Sequence, residues 1–310
     1  MTARGLFVGV DGRPRWGWRL VLFALACVAS LLVASALAYP LFGAVMSATG
    51  QQLALAAWLS LVALLGGHFL LLHAVERRSW AWVGMGRDAA QPLLLARGAV
   101  IGALAIGVPA ALLLASPWLR VEPTTAGGGS WAGAAWSLAT TLAPAALFEE
   151  LAFRGYPFAV LRERFGAAVA LGVTSVLFGL LHLQNPGAAP LPIFAVVVAG
   201  FFLGAILLVT RSLWAAWAAH FAWNWTMAAI FHMEVSGGGF PTPGYRVVEV
   251  GPDWLTGGSW GPEGGIAALA GMAAATWYLA TRRRGTPVAT AASPAVPHTT
   301  EARPSRREER

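Results

Sequence analysis

Three short segments hold polar residues at spacings that can do chemistry: Glu149-Glu150-Leu151-Ala152-Phe153-Arg154-Gly155, Phe178-Gly179-Leu180-Leu181-His182 and His220-Phe221-Ala222-Trp223-Asn224. On a helix, residues four apart share a face and adjacent residues diverge by about 100°. Glu150 and Arg154 are therefore expected to stack as an ion pair, with Glu149 pointing elsewhere. The two carboxylates should have different jobs. His220 and Asn224 share one face and present two hydrogen-bonding groups together. Phe178 lies one turn below His182, placed to pack beneath the imidazole. A carboxylate in a low-dielectric site becomes a competent base near neutrality. Imidazole and amide N–H groups suit a tetrahedral oxyanion. No Ser or Cys accompanies them within the three segments, so water is the expected attacking group.

Each segment alone also has a plain structural reading. A Glu150–Arg154 pair lets a helix end carry charge, and a lone His182 or His220 packs and hydrogen-bonds. His68 and His73 lack polar companions at helical spacing, and His232 and His298 fall in or near loops. The weight comes from convergence, because the rest of the chain is so apolar.

The elements that position these residues follow from composition. Of 310 residues, 57% are hydrophobic and 11% charged, against roughly 25% charged in ordinary globular proteins. That composition excludes a soluble, disordered or nucleic-acid-binding reading of the whole chain and places it in a bilayer. Ionisable groups inside a membrane are costly and usually functional, which is what singles out the three segments. Apolar runs of about 17–25 residues can cross as helices. They recur at 20–46, 53–75, 99–119, 131–156, 167–184, 193–209, 213–231 and 265–281. The expectation is an all-α polytopic transmembrane bundle of about eight spans. The midpoint between positions 149 and 182 falls between Phe165 and Gly166, so a turn there would set Glu149 and His182 at equal depth. Pro157 should kink or end the fourth span.

All 21 basic residues are arginine. With eight spans, nineteen of them fall on the side of the termini, and only Arg120 and Arg246 fall opposite. The positive-inside rule then makes the chain a multi-pass protein of the inner or plasma membrane with both termini cytoplasmic. Residues 1–19 form a cytoplasmic segment, 20–281 the helical domain, with a core at about 131–231, and 282–310 a disordered basic tail. Residues 234–263, rich in Gly and Pro, form an outer loop. Cys27, the single cysteine, excludes an intramolecular disulfide and reads as a small hydrophobe. Gly200-x-x-x-Gly204 is a candidate close-packing face.

The three segments resemble the motifs of the CPBP intramembrane proteases, the CAAX-protease and bacteriocin-processing (Abi) family that includes the Ras-converting CAAX endopeptidases. The resemblance covers about residues 131–231 and includes the extended form Glu-Glu-x-x-Phe-Arg-Gly. It implies an intramembrane endopeptidase, opening toward the cytoplasm, that hydrolyses a membrane-associated protein or peptide. By analogy, Glu149 and His182 activate water while His220 and Asn224 hold the oxyanion, supported by Glu150 and Arg154. The favoured mechanism needs no cofactor. The alternative the family leaves open is zinc bound by Glu149, His182 and His220, although His-Glu-x-x-His is absent. Some members of such a family would bind a peptide without cutting it, as immunity or scaffold proteins. A transporter would also hold mid-depth charge, but the internal repeat common among transporters is missing.

Overall fold

The computed structural model describes residues 7–9, 12–125, 129–240 and 242–284. Among the described residues it is mainly helical, with one small two-stranded ribbon. Trp16–Ala48 forms α1, Gln52–Leu70 α2, Pro92–Leu114 α3, Trp131–Arg154 α4, Tyr156–Phe165 α5, Ala167–Leu181 α6, Pro190–Thr210 α7, Leu213–Trp225 α8 and Ile266–Arg284 α9. α2 and α8 each continue through a π-helical turn, to Glu76 and Ile230. Five helices are long and apolar enough to cross a membrane: α1, α2 with its π turn, α3, α6 with the short turn after it, and α7. The chain is a multi-pass membrane protein. α1 leaves Leu25, Leu32, Val33, Leu37 and Leu41 exposed, as a lipid-facing helix must.

The helices depart from the apolar runs in two places. α3 begins seven residues earlier than its run, because Pro92 can open a helix at a position where no N–H is needed. It also ends earlier, and Leu119–Thr124 instead forms β1, paired antiparallel with β2 (Gly244–Glu249). The fourth run breaks at Gly155. A side chain there would collide with the His68 ring and the Leu151 carbonyl. His68, fully buried, accepts the Tyr156 N–H at 2.9 Å and so starts α5. Pro157 lies in the first turn of α5, where it is tolerated. The chain reverses at Gly166, whose φ of +85° favours glycine, close to the expected midpoint.

Close helix contacts hold the motif-bearing helices. Gly98 and Gly102 of α3 abut the Ala215 and Ala219 carbonyls of α8, and no Cβ fits at either glycine. Gly200 and Gly204 likewise seat α7 on Ser175 and Leu171 of α6. Between these helices lies a core that includes Leu72, Ile106, Leu151, Ile206 and Met227, all fully buried.

The two ends of the bundle differ in charge. At one end Glu76 accepts from Arg19 Nε at 2.7 Å and from the Tyr156 hydroxyl at 2.6 Å. Beside it, Glu163 pairs with Arg19 and Arg78 at 2.9 and 2.8 Å. This joins α1, the chain after α2, and α5. At the other end the ribbon carries Arg120 and Arg246, with Arg246 paired to Glu122 at 2.8 Å. Residues 285–310, most of the expected tail, lie outside the described residues.

Candidate active site

α4, α6 and α8 bring the three segments to one cavity of about 180 Å³, lined by Glu149, Phe178, His182, His220 and Asn224 among others. Helical spacing explains how the two carboxylates part. Glu150 is fully buried, and its Oε1 accepts from Arg154 Nη1 at 3.2 Å and from His220 Nδ1 at 2.9 Å. Glu149, a residue earlier, turns into the cavity with 27% of its side chain exposed. Arg154, 1% exposed, also donates to the Gly200 carbonyl at 3.2 Å and lies over the Phe178 ring at 4.3 Å. A buried pair of this kind is tolerable only with such added partners.

These contacts orient both imidazoles. Glu150 is paired with a guanidinium, so it accepts a proton-bearing Nδ1 from His220 and leaves Nε2 toward Glu149. The Nε2 to Glu149 Oε2 distance is 3.7 Å, beyond a direct hydrogen bond, and Glu149 is not locked to the ring. His182 Nδ1 donates to the Phe178 carbonyl at 2.8 Å, which leaves its Nε2 as the available nitrogen. Phe178 meets His182 edge-on with centroids 4.9 Å apart and contacts His220 at 6.0 Å. One aromatic ring thus packs against Arg154 and both histidines. Asn224 stands one turn from His220 on the same wall.

The rest of the lining comes from a loop. Val235, Ser236, Phe240 and Glu263 close the cavity on the ribbon side. Glu263, 8% exposed, accepts from the Ser236 N–H at 2.5 Å, the Ser236 hydroxyl at 2.6 Å and Trp223 Nε1 at 2.8 Å. Asn185 donates to the Ser236 carbonyl at 3.0 Å, and Gly237 N–H to the Trp260 carbonyl at 3.0 Å. Ser236 itself sits at φ +51°, a strained conformation for a non-glycine residue. Sequence reasoning missed Glu263, Ser236 and Phe240, because an acid in a Gly- and Pro-rich loop reads as solvated. Among the described residues no group of three His, Cys, Asp or Glu side chains is placed to hold a metal ion.

Residues 131–226 match the family model for type II CAAX prenyl endopeptidases, Rce1-like. This is the family that the three motifs resemble. The match spans α4 to the end of α8, about a third of the chain, and contains every motif residue. It supports a protease-like function in a membrane-embedded protein. No curated protein and no solved structure matches the chain.

Proposed function

We propose that the chain is an intramembrane endopeptidase that hydrolyses a peptide bond of a membrane-associated protein or peptide with water as nucleophile. The observation that carries this reading is the convergence of Glu149, His182, His220 and Asn224 on one cavity. Glu149 is the general base, since Glu150 is committed to Arg154 and His220, and Glu263 to three donors. His182 Nε2 accepts the second hydrogen bond of the water and fixes its lone pair toward the scissile carbonyl. As the C–O bond forms, the carbonyl oxygen gains negative charge. His220 Nε2–H and the Asn224 amide donate to it, with Glu150 stabilising the imidazolium form of His220. The proton held by Glu149 then passes to the leaving amine. Burial of His220 and Glu150 strengthens the interactions made through them, because little water competes there.

The test uses purified protein and a peptide library derived from membrane proteins. Glu149→Gln keeps size and polarity but removes the base, so cleavage should disappear while folding and peptide binding persist. Asn224→Ala should cost less, on the order of 10²–10³ in rate. Activity should survive chelation. Loss on chelation with recovery in zinc would make Glu149, His182 and His220 metal ligands. Peptide binding without cleavage by the unaltered protein would assign it to the non-catalytic scaffold class.

The topology that accompanies this reading is eight spans, with α4, α8 and α9 joining the five long apolar helices. Both termini are cytoplasmic, and the Val235–Phe240 segment is on the outer face. In intact cells, Gly239→Cys should react with a membrane-impermeant thiol reagent. Reaction only after the cells are opened would reverse the orientation and put the capped side of the cavity in the cytoplasm.

A further inference from the structure

At the arginine-rich end, between the Trp80–Val83 turn, α5 and the end of α7, lies a second cavity of about 340 Å³. Arg154, Arg162 and Arg211 line it together with Trp82, Phe158 and Leu208, and no lining residue is acidic. The acids nearby are engaged elsewhere: Glu76 and Glu163 bind Arg19 and Arg78. Arg162 and Arg211 have no ion pair among the described residues. Arg154 forms the floor. Its Nη atoms are held by Glu150 and Gly200, while its buried Nε has no hydrogen-bond partner. Arg211 occupies the left-handed cap of α7 at φ +55°, where glycine or asparagine is the low-strain choice. Such a departure at a cavity wall points to a use for the side chain.

Leu208 also lines an adjoining groove of about 500 Å³ with Leu171, Ala205, Val209, Leu279 and Ala280. The cationic cavity and an apolar groove among α6, α7 and α9 thus share a wall at Leu208. We propose that this is a phospholipid site. Arg162 and Arg211 hold the phosphate oxyanion of an anionic headgroup over Arg154, and one acyl chain follows the groove past Leu208. Guanidinium forks suit phosphate oxygens, and the two uncompensated charges select a net-anionic headgroup over a zwitterionic one. The same Arg154 braces Glu150, so an occupied site also steadies the wall behind His220.

Native mass spectrometry of the purified protein, given phosphatidylglycerol or phosphatidylcholine in detergent, tests this without any proteolytic assay. Phosphatidylglycerol should be retained in preference. In Arg162→Gln/Arg211→Gln, both exposed positions that should leave folding intact, its affinity should fall about tenfold or more. Competition by millimolar inorganic phosphate would support the oxyanion site. Arginine-dependent phosphate binding with no lipid retained would overturn the lipid as its source. Equal retention of the two lipids, or retention unchanged in the double variant, would overturn the site. Thermal unfolding of the double variant in phosphatidylcholine, expected to match the unaltered protein, shows that lost retention is not lost fold.

Discussion

The helix-built wall of the proposed catalytic cavity and its loop-built cap each bury a carboxylate, and they compensate it by different means. Glu150 is answered by charge: a guanidinium four residues along its own helix and a histidine from α8. Glu263 is answered by neutral donors, the Trp223 indole and two groups of Ser236. The first arrangement fixes the polar groups that line the cavity. The second closes the cavity from the ribbon side and ties the cap to Trp223, the neighbour of Asn224. A wall that orients an imidazole through its Nδ1 uses a carboxylate beside it. A cap needs only a fixed position, and neutral hydrogen bonds supply that at lower desolvation cost.

The largest effect expected from breaking this contrast is at Arg154. Arg154→Ala leaves Glu150 buried without its guanidinium, which should cost about 3–5 kcal/mol of stability. Thermal unfolding and membrane accumulation should both fall, along with activity. Glu150→Gln in the same chain should recover much of the stability and none of the activity, because His220 still lacks its charged partner. An Arg154→Ala protein of unaltered stability would mean that the pair is not structural.

Glu263→Gln should act more weakly. An amide keeps one acceptor oxygen, but its NH₂ faces donors where the second oxygen stood. The loss should be about 1–3 kcal/mol, the range for a buried donor left unsatisfied. Protease nicking between Val235 and Phe240 should rise, and kcat should fall with Asn224 left in place. Unchanged nicking would show that Asn185 and Trp260 hold the cap without Glu263.

The wall and the cap also differ in how far sequence exposed them. Glu150–Arg154, His220–Asn224 and Phe178–His182 are spaced four apart, and helix geometry alone puts each pair on one face. The midpoint between Glu149 and His182 fell at Phe165–Gly166, where a turn would set the two at equal depth, and the chain does reverse at Gly166. The cap gave no such signal, since Glu263 and Ser236 are far apart in a segment without periodicity, and their contact exists only once the loop folds over α8. The ribbon was hidden for a related reason: Leu119 closes the apolar run that α3 begins, and only pairing with β2 makes it strand. α5 was hidden behind Gly155, whose need for space against His68 is a tertiary fact.

The smallest effect concerns the ribbon, the part of the molecule farthest in kind from the helical wall. Burial raises the Glu249 carboxyl to about 7, helped by the charges of Glu234 and Asp253 and opposed by the Thr256 hydroxyl, which donates at 2.9 Å. A carboxyl raised in the folded state binds its proton more tightly there than in the unfolded chain. The fold is therefore favoured most below the ordinary carboxylate range near 4.5 and loses that advantage as pH rises through about 7. Glu249→Gln, which is neutral at every pH, should nearly match the unaltered protein in thermal stability at pH 4 and exceed it at pH 8.5. The cleavage proposed for the helical wall should not follow this trend, because Glu249 does not line that cavity. A difference between the two proteins that is the same at both pH values would mean that Glu249 is ionised throughout and that solvent, rather than burial, governs the ribbon.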